Sequence, residues 1–252
     1  MIYENFSRKL ISRSQLGFSL IELMIALLIG LFLVGGLLTV MQQNKRTFTS
    51  QNSLSVLQDN ERLAMTMITD VIQQAGYFPN PTVNSAPTML PAYSSGPAGA
   101  MLSSQSINGT YLAAAPGDTI TARYTTASGD GVVNCIGAPN TSGANYSYVS
   151  TFKINPQNQL ICTTEAGIAY PLVNGVVNLS VLYGVNTLGT SNNVDTYMNA
   201  SQVTPALWNK VLSIRVSLTF TNPLWVNGQA GIPQPQFYVL SRDIAVMNQT
   251  GI

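Results

Sequence analysis

Hydrophobic and polar positions divide the 252-residue chain into three regimes. Phe18 to Met41 reads FSLIELMIALLIGLFLVGGLLTVM and carries a single charge, Glu22. About 20 apolar residues at 1.5 Å rise span the roughly 30 Å core of a bilayer. Gln42 to Ala75 then contains neither Pro nor Gly. Within it Leu54, Leu57, Ala64, Ile68, Val71, Ile72 and Ala75 recur at helical spacing, with a gap at Asn60 and Glu61. That is an amphipathic stripe, which leaves Gln58, Asp59, Glu61, Arg62 and Asp70 for an exposed or subunit-facing side. Gly76 is a good helix stop, and Pro79 and Pro81 follow it. The pattern predicts one helix from Phe18 to Ala75, about 87 Å long at 1.5 Å per residue. Gly30, Gly35 and Gly36 each cost roughly 1 kcal/mol relative to Ala in a helix in water. In lipid such glycines allow close helix packing; a local loosening of the helix is the alternative reading.

Residues 77–117 hold many of the chain's prolines and no charged residue. They read as irregular structure packed on the domain, because Met89, Leu90, Met101, Leu102 and Tyr111 favour burial. The period then changes to two. Thr119–Thr126 alternates Ile120, Ala122 and Tyr124 with polar neighbours and reads as a strand. Tyr148–Ile154 and Gln159–Thr163 flank Asn155-Pro156-Gln157-Asn158, a hairpin signal. Val176–Val185 and Val211–Phe220 are further strands, the second with a clean even-numbered apolar face, and Phe237–Met247 is a candidate last strand. A β-rich globular part, 77–252, packed on the distal half of the helix follows, in the α+β class.

Charge fixes the compartment. Arg8, Lys9 and Arg13 precede the apolar segment, opposed by Glu4, and no charge follows it until Lys45. The asymmetry places the N-terminus in the cytoplasm and exports the rest. A cleaved secretory signal with small residues at Val34-Gly35-Gly36 and a plain signal anchor are two readings of the segment. The third turns on Glu22. A carboxylate inside an apolar span costs a few kcal/mol and calls for a named partner. In an exported chain with two cysteines, a Cys135–Cys162 disulfide is the economical reading; two unpaired buried thiols are the alternative.

Composition narrows the chemistry. Charged residues make up 8% of the chain, so Asn, Ser, Thr and Gln must cover the surface. The chain has no His, which removes the commonest general base and metal ligand. No base is available to activate a cysteine, so an anchored enzyme is disfavoured, with no catalytic, metal or cofactor site and no small-molecule substrate. Asp195 beside Asn192 and Asn193 hints at a Ca²⁺ loop but lacks the EF-hand spacing, so a solvated turn is the reading. From Phe18 onward the net charge is −1, which does not favour a non-specific nucleic-acid grip. Trp208 reads as a core anchor beside the strand carrying Arg215.

Gly17-Phe18-Ser19-Leu20-Ile21-Glu22, behind a basic leader and inside a long apolar helix, resembles the cleavage and assembly motif of type IV prepilins and pseudopilins. The resemblance implies a cleaved leader 1–17, cut by a prepilin peptidase between Gly17 and Phe18, and N-methylation of Phe18. It implies a long helix 18–76, transmembrane over 18–41 and amphipathic over 42–76. Glu22 then sets axial register by pairing with the α-amine of a neighbouring subunit's Phe18; a pair within one chain is also conceivable, since the two lie four residues apart. Gln73-Gln74-Ala75-Gly76-Tyr77, Gly175–Leu179 with Tyr183-Gly184-Val185, Trp208–Val211 with Ile214–Leu218, and Arg242–Asn248 are similar to the PilW-type minor pilins. That likeness implies a subunit of the low-abundance complex that primes pilus assembly and sits at the fibre tip. Its implied partners are other minor pilins, the major pilin, a large tip adhesin, the prepilin peptidase and the inner membrane. A J-type minor pseudopilin of type II secretion shares the motif and is the alternative; loss of piliation against loss of exoprotein secretion on deletion separates the two.

Overall fold

The computed structural model of the protein describes residues 17–94, 99–189, 193–226 and 235–247. The expected leader, apart from Gly17, lies outside the described residues. Among the described residues a long helix, α1 (Leu20–Gln74), leads into nine strands that pair antiparallel. The class is α+β, a long N-terminal helix with an antiparallel β domain. The chain separates into two compact units, Met1–Gln51 and Asn52–Ile252.

In the first unit α1 runs helical through Gly30, Gly35 and Gly36, and a Cβ at any of them would meet nothing within 4 Å. The loosening alternative is therefore not what the chain adopts. Every large apolar side chain from Phe18 to Met41 is at least 52% exposed. This stretch finds no apolar cover in its own unit.

In the second unit the same helix changes character. Ala64, Met65, Ile68, Val71 and Ile72 are buried, and Ala75 joins them in one core with residues from both sheets. Met65 belongs to the stripe although its spacing did not mark it. Asn60 and Glu61 are half-buried rather than exposed, and desolvation raises the Glu61 carboxyl above its usual range. Gly76 ends the helix with φ 81°, a conformation that costs a residue with a Cβ, and its N–H donates to Arg123 O at 2.9 Å.

The first sheet runs β1 (Ile107–Thr110), β2 (Thr119–Thr126), β3 (Tyr146–Ile154), β4 (Gln159–Thr163), β5 (Ala169–Asn174), in sequence order. The second orders β7 (Thr196–Met198), β6 (Val176–Val185), β8 (Val211–Thr221), β9 (Phe237–Ala245). Asn155 closes the β3–β4 hairpin: its Oδ1 accepts from Gln157 and Gln159 N–H, and Asn158 takes φ 56°. Strands β1, β5 and β7 carry no strong sequence signal, being short or interrupted by Pro171.

The 77–117 segment is not wholly irregular. It contains α2 (Ala86–Met89) and β1, and it covers the outer face of β2. Leu90 and Met101 are buried there, Met89 is half-buried, and Leu102 and Tyr111 are exposed instead. Strand β2 is thus buried on both faces past its first residue. Its apolar side joins the core, and its polar side, Thr121, Arg123 and Thr125, lies under the segment. Arg123 is 2% exposed, and among the described residues no carboxylate contacts it. Its guanidinium donates instead to the carbonyls of Leu90, Pro91, Leu102 and Gln105, with Nε to Gln105 O at 3.0 Å and Nη2 to Leu102 O at 3.0 Å. Burial pulls its pKa down to about 10, still leaving it charged at neutral pH. Asp118 joins the sheets: Oδ1 accepts from Leu112 N–H at 2.8 Å and Oδ2 from Val181 N–H at 2.7 Å.

Arg123→Ala leaves several buried carbonyls without donors and opens a cavity. Each orphaned group costs about 1–3 kcal/mol. The variant is expected to lose about 3 kcal/mol or more of unfolding free energy in urea titration. Amide exchange should rise first across residues 86–106.

Candidate assembly segment and tethered loop

The N-terminal candidates fall together at the start of α1. Gly17, Phe18 and Ser19 precede the first helical residue, Leu20. Ser19 O accepts from Glu22 N–H at 3.0 Å and Leu23 N–H at 3.2 Å, which starts the helix ladder. Glu22 is the acidic residue of the first turn, where the helix dipole favours negative charge. Phe18 is 84% exposed and sits two residues before the helix. The Gly17–Phe18 bond thus lies in non-helical chain beside a helix that is long and apolar enough to cross a membrane.

A second feature lies wholly within the Asn52–Ile252 unit. Cys135 and Cys162 form a disulfide, 27 residues apart in sequence. It ties the β2–β3 connection to β4, and both sulfur-bearing residues are buried. The connection is ordered by its own Asp and Asn side chains. Asp130 accepts from Ala127 and Val132 N–H, and Asn134 from Ile136 and Ala138 N–H. Asn140 donates to Thr126 O and Ala144 O. Short polar side chains replace a sheet ladder here. The tethered loop and the last turns of α1 enclose a groove of about 190 Å³, lined by Met67, Asp70, Val71, Gln74, Val133 and Asn134 among others.

Asp195 holds no ion-like constellation. Its carboxylate accepts from Thr187 N–H and Leu188 N–H at 2.9 Å and from Thr187 Oγ1 at 2.9 Å. The Leu188 and Thr187 bonds hold it below the usual carboxylate range. Asn193 is exposed, and Asn192 lies outside the described residues. Among the described residues no three His, Cys, Asp or Glu side chains gather as a metal group would require. Trp208 is buried and meets the Tyr183 ring edge-on, centroids 4.9 Å apart.

Arg123, Asp118 and the Arg215–Asp243 pair were not marked by sequence reasoning as structural or surface determinants. Arg215 Nε donates to Asp243 Oδ1 at 2.7 Å, and the guanidinium lies 4.7 Å from the Tyr197 ring centroid. The cross-strand register that pairs Arg215 with Asp243 depends on β8–β9 alignment, which one strand's pattern does not contain.

Residues 142–250 match the family described as type IV pilus-assembly protein W, and residues 12–38 match the prokaryotic N-terminal methylation motif. Among solved structures the chain is similar to a type IV-like pilin, TTHA1219, from Thermus thermophilus, with 14% identity and a TM-score of 0.44. That match covers 77% of this chain and 98% of the other. No curated protein matches the chain.

Replacing both Cys135 and Cys162 with Ala should lower stability by about 3 kcal/mol, the chain-entropy value for a loop of this size. Denaturant titration of the full chain in detergent measures it. Hydrogen exchange should accelerate in 127–145 before it does in the β6–β8 ladder.

Proposed function

We propose that this chain, a type IV pilin-like minor pilin of the PilW family, is a non-enzymatic subunit of the low-abundance complex that primes pilus assembly and occupies the fibre tip. The observation that carries the reading is Glu22, the lone charge between Phe18 and Met41, one turn after the Gly17–Phe18 junction.

The sequence of events follows from charge. The leader 1–17 keeps the N-terminus cytoplasmic while 18–41 spans the inner membrane and 77–252 folds in the periplasm. A prepilin peptidase cuts after Gly17. The new α-amine of Phe18 titrates near pH 8, so it is cationic at neutral pH, and N-methylation keeps that charge. Glu22 costs about 3 kcal/mol to hold unpaired in lipid. An ion pair at about 4 Å in a medium of dielectric about 20 returns about 4 kcal/mol. The unpaired subunit in the membrane already carries the insertion cost, so pairing favours docking, and only where a neighbour presents its amine at the right height. The carboxylate thus sets axial register, and the apolar faces of neighbouring helices supply the cover that 18–41 lacks in its own unit.

Its partners on this reading are other minor pilins, the major pilin, a large tip adhesin, the prepilin peptidase and the inner membrane. The chemistry is docking and priming, with the β domain as the recognition surface.

Glu22→Ala should be processed and inserted like the wild type yet fall at least tenfold in sheared fibres, the equivalent of about 1.4 kcal/mol or more of lost pairing. Quantitative immunoblots of membrane and fibre fractions measure it. Normal incorporation of the variant overturns the register role.

A further inference from the structure

Between Gly17 and Asp59 the chain carries three charges, Glu22, Lys45 and Arg46. The two cations are adjacent and exposed, on the part of α1 that belongs to the Met1–Gln51 unit. No acid lies within a helical turn of either, since Met41 to Ser50 reads MQQNKRTFTS. Glu22, the one acid among the described residues of that unit, is about 35 Å away along the helix. No carboxylate therefore neutralises the pair within its own unit.

Topology does not account for these cations. Basic residues orient a span from its cytoplasmic side, where Arg8, Lys9 and Arg13 stand in the sequence; a pair on the exported side opposes that bias. Their height does account for them. Met41 ends the apolar run, and Lys45 and Arg46 follow about 6–8 Å further along the helix. The polar zone outside a hydrocarbon core of about 30 Å is about 5–8 Å deep on each side. With 18–41 in that core, both cations stand at the depth of the lipid phosphates. A guanidinium grips phosphate with two parallel N–H bonds, and an ammonium adds a point charge.

Other occupants lack the charge. A second copy lying parallel in the same membrane brings no carboxylate to this height, because residues 23–58 hold no Asp or Glu; it brings two more cations. Residues 95–98, 190–192, 227–234 and 248–252 contain no Asp or Glu either.

We propose that Lys45 and Arg46 form a binding site for the phosphate of an anionic phospholipid in the periplasmic leaflet, which fixes the depth of α1 before assembly. The site rests on the proposed membrane-spanning reading of 18–41; the ligand rests on the unneutralised pair and its height above Met41. Leaving the bilayer for a fibre breaks these contacts.

The test places the full chain, at high lipid-to-protein ratio, in vesicles of phosphatidylethanolamine and phosphatidylglycerol. Electron spin resonance compares its contact with spin-labelled phosphatidylglycerol and with spin-labelled phosphatidylcholine. Each cation near a membrane surface is worth about fivefold in attraction to anionic lipid, so combining Lys45→Gln with Arg46→Gln should lower the preference for phosphatidylglycerol at least fivefold. Arg8, Lys9 and Arg13 are common to both chains and cancel in the comparison. Lys45→Arg with Arg46→Lys should retain the preference. Inorganic phosphate should reduce it no more than sodium chloride of equal ionic strength. An inserted chain whose preference is absent, is unchanged by the double Gln variant, or is lost specifically to inorganic phosphate overturns the proposal. Unchanged preference with lost fibre incorporation assigns the cations to a neighbouring subunit's carboxylate, and overturns it too. A wild-type chain that alkaline carbonate strips from the vesicles contradicts the spanning reading itself and the proposal with it, so the two failures are distinguishable.

Discussion

Burial of one helix stripe organises the unit that begins at Asn52. Ala64, Met65, Ile68, Val71, Ile72 and Ala75 sit in the same core as Ile120 and Tyr124 of the first sheet and Val181, Ile214 and Phe220 of the second. A sheet face needs an apolar partner, and here the two sheets and one helix stripe share a single core. With charged residues at 8%, ion pairs contribute little, and side-chain amides and hydroxyls do the polar stitching. Asp118, Asn134, Asn140 and Asn155 each satisfy backbone groups that no ladder reaches.

The first part of α1 answers to a different solvent. Its apolar side chains are exposed all round in their own unit, which is stable in lipid or against other helices but not in water. A carboxylate in such a helix is expensive unless paired. In the proposed assembly, the same group that burdens the isolated subunit gives the fibre its register. Specificity of this kind comes from a polar group that only one alignment satisfies, as a buried polar residue does in a coiled coil.

Much of this was legible in the sequence, and the limits have physical causes. The strands at Thr119–Thr126 and Val176–Val185 follow directly from period-two alternation, and Gly76 ends the helix as its chemistry demands. The alternation on β2 nevertheless misleads about exposure. Thr121, Arg123 and Thr125 are the polar neighbours of that alternation, yet the segment before β2 folds over them and supplies carbonyls for the guanidinium. That arrangement depends on long-range contact, which a local pattern cannot carry. Leu102 and Tyr111 are apolar enough to favour burial, yet they lie exposed while Leu90 and Met101 are buried. The N-terminal segment is the opposite case. Its chemistry is local, so the Gly17–Phe18 junction and Glu22 are readable without any fold.

The central claim is that the chain enters a fibre through a processed N-terminus. The mature terminus, determined by intact mass and terminal sequencing of membrane fractions with and without the prepilin peptidase, tests it most directly. A peptidase-dependent start at Phe18, carrying a methyl group, is the predicted result. A start at Leu37, or an uncut Met1 in both strains, would contradict the account, because the first removes Glu22 and the second leaves no α-amine beside it.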